Sequence, residues 1–227
     1  MRFIRNFINF LLDMIFPPLC LNCRRYLEKN EKPNLLCSRC FSAIIISRVV
    51  SEKFRFILAA ATDYQNPAIR NLIHYFKYEE FLAAKVPLAK LMLRHLEKTG
   101  LIKQLFPDSL IVPVPLHKKK FRERGFNQSE ELGKELSRFL NLPMETKILV
   151  RVRHTEPQIN LKDKSDREKN VAGAFNVNPK EAVKIKNRLI ILIDDVYTSG
   201  ATIKEAARTL RKYGAERIIA LVVAKAR

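Results

Sequence analysis

The chain has 227 residues, 47% of them hydrophobic, which suits one substantial folded domain with room for a smaller one and excludes a disordered polymer. Forty-two Lys and Arg against 23 Asp and Glu give a net charge of +19, a balance that favours polyanions: nucleic acid, phosphorylated substrates or acidic membrane. No GxGxxG fingerprint and no Walker lysine occur, so neither a dinucleotide fold nor a nucleotide triphosphatase finds support.

The chain opens on MRFIRNFINFLLDMIF, with Phe3, Phe7, Phe10, Leu11 and Met14 near one helical face. A spanning helix needs about 20 mostly apolar residues, and here Arg5, Asn6, Asn9 and Asp13 interrupt the run. No small-x-small cleavage site follows. The expectation is a helix packed on the protein, no transmembrane segment and a cytoplasmic location.

All four cysteines come next: Cys20, Cys23, Cys37 and Cys40, spaced C-x2-C, thirteen residues, C-x2-C. Two such knuckles suit one tetrahedral Zn2+, and four thiolates close its shell, so the site reads as structural. An iron–sulfur cluster is the other metal reading. Disulfides need an oxidising compartment that no export signal supports. Residues 1–50 are therefore an N-terminal helix and a four-cysteine zinc ribbon, too small to fold without its metal.

Residues 51–107 hold an apolar run, Phe56 to Ala61, and two helical stretches. The first, Asn66 to Phe76, sets Ile69, Leu72, Ile73 and Phe76 on one face; the second, Phe81 to Leu96, places Leu82, Val86, Ala89, Leu93 and Leu96 in helical register, with the helix starting near Pro87. Residues 108–227 alternate. Strand Leu110–Val114, helix Ser129–Leu140, a strand over Ile148–Val152, a polar segment 153–170, strand Leu189–Ile193, helix Thr202–Tyr213 and strand Ile218–Val223 follow in turn. This predicts an α/β fold, a parallel sheet with helices on its faces.

Three blocks of residues 108–227 carry chemistry. In LIILIDDVYTSGAT a buried strand runs into Asp194 and Asp195, then a loop of small and hydroxyl residues (Thr198, Ser199, Gly200, Ala201, Thr202), then a helix. Backbone N–H groups at a helix start can hold a phosphate. The carboxylates can accept from a sugar diol or hold Mg2+ through water. In VPVPLHKKKFRERGFNQ, Lys118, Lys119, Lys120, Arg122 and Arg124 follow a strand exit, where ligands of such sheets bind. Those cations suit a pyrophosphate or a nucleic-acid backbone. Phe126, Asn127 and Gln128 either stack on and hydrogen-bond a base or staple the next helix. The third block, from Arg151 and Arg153 through His154, Pro157 and Arg167 to Phe175, is long and polar, as a closing loop would be.

The DDVYTSGAT run resembles the phosphoribosyl pyrophosphate (PRPP) signature of type I phosphoribosyltransferases. With FPPLCLNC, LCSRC, VPVPLHKKKFRERGFNQ and RVRHTEPQINL, nearly the whole chain is similar to the ComF family, the competence-associated branch. The resemblance implies a type I phosphoribosyltransferase-like sheet over residues 108–227, with 51–107 as a connecting hood. It implies that Asp194 and Asp195 take the ribose hydroxyls and that Thr198 to Thr202 cup the 5′-phosphate. Lys118 and Lys119 lie in the pyrophosphate-side loop, Arg151 and Arg153 in the flexible loop, and Mg2+ accompanies PRPP. Lys120, Arg122, Arg124, Phe126, Asn127 and Gln128 are the nucleic-acid candidates. Thr198 stands where some relatives carry an Asp that serves as general base. Two functions remain open: phosphoribosyl transfer to an acceptor, or binding of single-stranded DNA or competence-machinery proteins without turnover.

Overall fold

The computed structural model describes residues 13–14, 17–52, 56–78, 81–105, 108–153 and 169–226. The apolar N-terminal face of Phe3, Phe7, Phe10 and Leu11 lies outside these residues, as do His154, Pro157 and Arg167 of the polar segment. Strands β1 (Val50–Ser51), β2 (Ile57–Asp63), β3 (Leu110–Pro113), β4 (Leu149–Arg151), β5 (Phe175–Val177), β6 (Leu189–Tyr197) and β7 (Arg217–Lys225) form two sheets. The larger has the order β1-β2-β7-β6-β3; β4 and β5 pair alone. Strands β2, β7, β6 and β3 are parallel, and β1 is antiparallel to β2 at one edge.

One register row runs Ile57–Ile219–Ile191–Ile111 and the next Leu58–Ala220–Leu192–Val112. Side chains alternate across a strand, so neighbouring rows face opposite layers. Ile111, Ile191 and Ile219 pack with helices α2 (Pro67–Tyr78), α3 (Lys85–Lys98) and α5 (Gln128–Leu140). Leu58, Val112, Leu192 and Ala220 pack with α6 (Ala201–Lys212) and the β4–β5 pair. Continuous apolar strands are what a sheet covered on both faces requires.

The expected helical faces hold for α2 (Ile69, Leu72, Ile73, Phe76) and α6 (Ile203, Ala206, Ala207, Leu210), all buried. In α3 the face is rotated. Leu88, Ala89, Leu91, Met92, His95 and Leu96 are buried, whereas Leu82 is exposed in a separate 3-10 turn, Leu82–Ala84, that precedes the helix. Pro87 falls in the first turn of α3, where its missing N–H costs nothing. Among the described residues no helix is long and apolar enough to cross a membrane. The short helix α1 (Ser38–Ser42) belongs to the cysteine-bearing segment, whose Leu27, Leu36, Ile44 and Ile46 join the same core as α2 and α3.

Two features make a crevice at the C-terminal edge of the sheet. Strand β3 ends at Pro113, and Val114 N–H donates the last link to Ile193 O at 2.9 Å. Strand β6 continues to Tyr197, four residues beyond the expected end, because β7 runs beside it as far as Lys225. From Asp194 onward β6 is thus laddered on the β7 side and open on the β3 side.

His95 ties α3 to the chain ahead of β1. Its Nδ1–H donates to Ser47 O at 2.9 Å, while Nε2 is buried without a partner among the described residues. Burial holds the ring's pKa below its ordinary 6.5, with the Ser47 bond opposing. The unfolded chain takes up a proton near that value and the folded one resists it, so stability falls as pH drops below 6.5. We predict a Tm that declines from about pH 7 to about pH 5 in the wild type and a shallower decline in His95→Gln. Parallel curves for the two proteins would contradict this role.

Candidate functional site

The crevice is a cavity of about 480 Å³. Asp194 and Asp195 form its floor, in strand conformation near the end of β6. The loop that follows turns at Gly200, whose φ of +78° is the left-handed region, and α6 starts at Ala201. A Cβ on Gly200 would run into the Tyr197 ring, so glycine is required here by a neighbour within the loop. Ser199 Oγ accepts from Ala201 N–H at 3.3 Å. Thr198, Gly200 and Thr202 all line the cavity, which brings the start of α6 to its wall. An anion placed there would meet the backbone N–H groups of the helix start and the positive end of its dipole.

The two carboxylates have different surroundings. Asp195 is buried and forms an ion pair with Lys77 of α2, Nζ to Oδ2 2.8 Å. Asp194 Oδ1 accepts from Ser129 Oγ at 3.0 Å and from Asp195 N–H at 2.9 Å. Its pKa is pushed up to about 7, first by burial and then by the charge of Asp195, with these hydrogen bonds and Lys77 opposing. Near neutral pH the pair therefore carries less than two full negative charges. Lys77, Ser129, Tyr64 and His74 also line the cavity, and none of them stands out in the sequence. Lys77 and His74 belong to a helix legible only by its apolar face, and no local pattern marks which of its polar residues reach a site formed by a distant strand.

The basic block is a helix, not a loop. Val114 to His117 run extended, and α4 (Lys118–Arg124) follows, with the His117 ring accepting from Lys119 N–H as its cap. Helical spacing sorts the five cations. Lys120 and Arg124, one turn apart, line the cavity; Lys118, Lys119 and Arg122 are exposed and do not. Phe126 packs on Phe76 with ring centroids 5.6 Å apart, and Asn127 caps α5 by accepting from Ser129 N–H while donating to Val114 O. These two side chains are engaged in holding α5, the stapling alternative. Gln128 is buried and accepts from Arg124 at 3.2 Å. The exposed aromatic of this block is Phe121.

The arginines of the third block also part company. Arg151 on β4 lines the cavity, its guanidinium 5.3 Å from the Phe175 ring centroid. Arg153 points elsewhere: it donates to the carbonyls of Lys169, Asn170 and Ala172, closing the two ends of the polar segment on each other. Burial presses on the cavity cations. The pKa of Arg151 is lowered by burial, with Asp194 opposing, and that of Lys120 by burial and then by Arg151, Arg124 and Lys77.

The four cysteines converge some distance along the chain from this cavity. Their Sγ atoms all lie within 4.8 Å of one another, with Cys23 and Cys37 3.7 Å apart, and all four are free thiols. Tetrahedral Zn–S bonds of about 2.3 Å imply S···S edges of about 3.8 Å, so the donors fit one metal ion. Cys37 N–H donates to Cys20 Sγ, Cys40 N–H to Cys37 Sγ, and Asn22 Nδ2 to Cys40 Sγ, the outer bonds that orient thiolate ligands. Burial raises the pKa of Cys20, yet N–H donors outweigh it and bring the thiol down to about 6, whereas burial drives Cys40 up to about 12. Glu31 fastens the ribbon from inside by accepting from Arg25, Glu28 N–H and both Ser38 donors.

Comparison with known proteins places this geometry. A family model described as the phosphoribosyl transferase domain matches residues 127–227. Competence protein F of Haemophilus influenzae is 35% identical over 147 residues, 65% of this chain and 63% of that protein, so the chain spans somewhat less than two thirds of that relative. The DNA utilization protein YhgH of Escherichia coli is 34% identical over 162 residues, 70% of this chain and 67% of that protein. Competence protein ComFC of Bacillus subtilis is 34% identical over 113 residues, 49% of this chain and 42% of that protein. The relatives align with a chain whose acidic pair, glycine-turned loop and cysteine cluster have the arrangement described above, and the chain belongs to the ComF family of phosphoribosyltransferase-domain proteins.

Proposed function

We propose that the cavity binds PRPP and that the protein serves DNA uptake or processing, the setting that its relatives' names describe. One observation carries the first part: the acidic pair and the glycine-turned helix start share one cavity with Lys120, Arg124 and Arg151. The residues from Thr198 to Thr202 hold the 5′-phosphate on backbone N–H groups. Asp194 and Asp195 accept from the ribose 2′- and 3′-hydroxyls. Lys120, Arg124 and Arg151 face the pyrophosphate. The bond from the anomeric carbon to pyrophosphate breaks with oxocarbenium character, so what the protein contributes is position and neutralised charge on the departing oxygen. Mg2+ carried in on the pyrophosphate supplies further neutralisation of that leaving group.

The acceptor is a separate question. Thr198 is a hydroxyl where a general base would be needed, so transfer relies on an acceptor that arrives deprotonated or on a base from another element. A binding role without turnover is favoured at a second place. Lys118, Lys119 and Arg122 surround exposed Phe121 on the outer side of α4, cations beside a stacking ring, which suits single-stranded DNA. Partners from the competence machinery would meet the same exposed face. Four thiols gathered on one metal need a reducing compartment, in keeping with the cytoplasm. We assign that metal as structural zinc, since four sulfur donors leave no position for water or substrate.

Calorimetry with PRPP tests the site. Asp194→Asn and Asp195→Asn each weaken binding by about 1–3 kcal/mol, the scale of a lost charge-assisted hydrogen bond. Gly200→Val abolishes it, because a β-branched residue is strained at positive φ and collides with Tyr197. The triple variant Lys118→Ala, Lys119→Ala, Arg122→Ala keeps its PRPP affinity and loses affinity for single-stranded DNA. Unchanged PRPP binding in both Asp variants removes the ribose role. For the ribbon, metal analysis after anaerobic purification should find one zinc per chain, and Cys37→Ser should lose it together with hydrogen-exchange protection over residues 17–46. Iron, or no metal, would refute the zinc assignment.

A further inference from the structure

The acidic pair already has a cation of its own. Lys77 Nζ lies 2.8 Å from Asp195 Oδ2, and the lysine side chain is only 21% exposed. Burial alone would drive its ammonium towards the neutral form, but Asp195, and behind it Asp194, hold it charged. Lys77 comes from α2, outside the residues 127–227 that match the phosphoribosyl transferase domain. Asp194 is meanwhile held by the Ser129 hydroxyl and the Asp195 amide. Among the described residues, Lys77, Lys120, Arg124 and Arg151 are the lysines and arginines of the cavity wall beside the two carboxylates.

A free divalent ion entering this cavity meets an aspartate oxygen already bonded to an ammonium. Mg2+ sites of proteins use one or two carboxylates together with substrate phosphates. Here one oxygen of Asp195 is already bonded to an ammonium and one of Asp194 to the Ser129 hydroxyl. An ionised carboxylate offers about four lone-pair sites, so one bond to lysine leaves room for ribose hydroxyls to donate. We infer that Lys77 is the built-in counter-ion of the acidic pair, so that the phosphoribosyl part of a ligand binds against the pair without a divalent ion. The inference rests on the reading of the cavity as a phosphoribosyl site. Lys77 is a positioning residue: it touches Asp195, and through it fixes the atoms that receive the sugar.

Ribose 5-phosphate, which has no pyrophosphate to carry a metal, separates the two roles. Its binding to the full chain is measured by calorimetry in EDTA and again in Mg2+. The wild type should bind in EDTA with a Kd within about threefold of that in Mg2+. Lys77→Met should lose roughly tenfold or more in EDTA, the scale of one charge-assisted bond, and recover part of it in Mg2+. Lys77→Arg should keep the metal-independent binding, and Lys77→Gln replaces Lys77→Met if that variant does not fold. Wild-type binding that needs Mg2+ overturns the inference and leaves the phosphoribosyl site standing. Wild-type binding in neither buffer overturns both. Equal affinity of the lysine-free variants and the wild type in EDTA overturns the counter-ion role alone.

Discussion

Two carboxylates set side by side near the end of a buried strand repel each other and resist burial, and the rest of the site is arranged around relieving that conflict. Lys77 pairs with Asp195 and Ser129 bonds Asp194, each from a different helix. The result spans the molecule: α2, α5 and β6 meet at one point, and the cavity exists only where all three are in place. Even so, burial and the neighbouring Asp195 charge hold the Asp194 carboxyl above the usual carboxylate range. Ribose hydroxyls and a metal-laden pyrophosphate are the kind of donors that would relieve the conflict further.

Most of the architecture is legible in the residues. Apolar strands without polar alternation mark a sheet buried on both faces, and the 3.6-residue spacing of α2 and α6 marks their buried sides. The acidic pair and small-residue loop identify the crevice because they are local: strand, turn and helix start lie within fourteen residues. The conformation of the basic block is not legible in this way. A run of Lys and Arg between prolines and a glycine looks the same as loop or helix, and only the helix separates Lys120 and Arg124 from Lys118, Lys119 and Arg122. Lys77 is invisible for the opposite reason. Its partner is far along the chain, and a single lysine at the end of an amphipathic helix carries no local signal of a buried pair.

The cysteine segment and the cavity at the acidic pair answer to different physics. The apolar residues of the ribbon, Leu27, Leu36, Ile44 and Ile46, join the core beneath α2 and α3. The ribbon's own coherence comes from sulfur donors, N–H···S bonds and the Glu31 network. The same α2 that shares a core with the ribbon's apolar residues carries Lys77 to the cavity wall.

The central claim is that one cavity brings phosphate loop, acidic pair and cations to a single phosphoribosyl ligand. A crystal structure of the full chain with PRPP tests it most directly. The account predicts the 5′-phosphate on the backbone of residues 198–202, the ribose hydroxyls against Asp194 and Asp195, and the pyrophosphate facing Lys120, Arg124 and Arg151. PRPP lodged outside this cavity, or bound with its pyrophosphate on the 198–202 loop and its ribose away from the acidic pair, would contradict it.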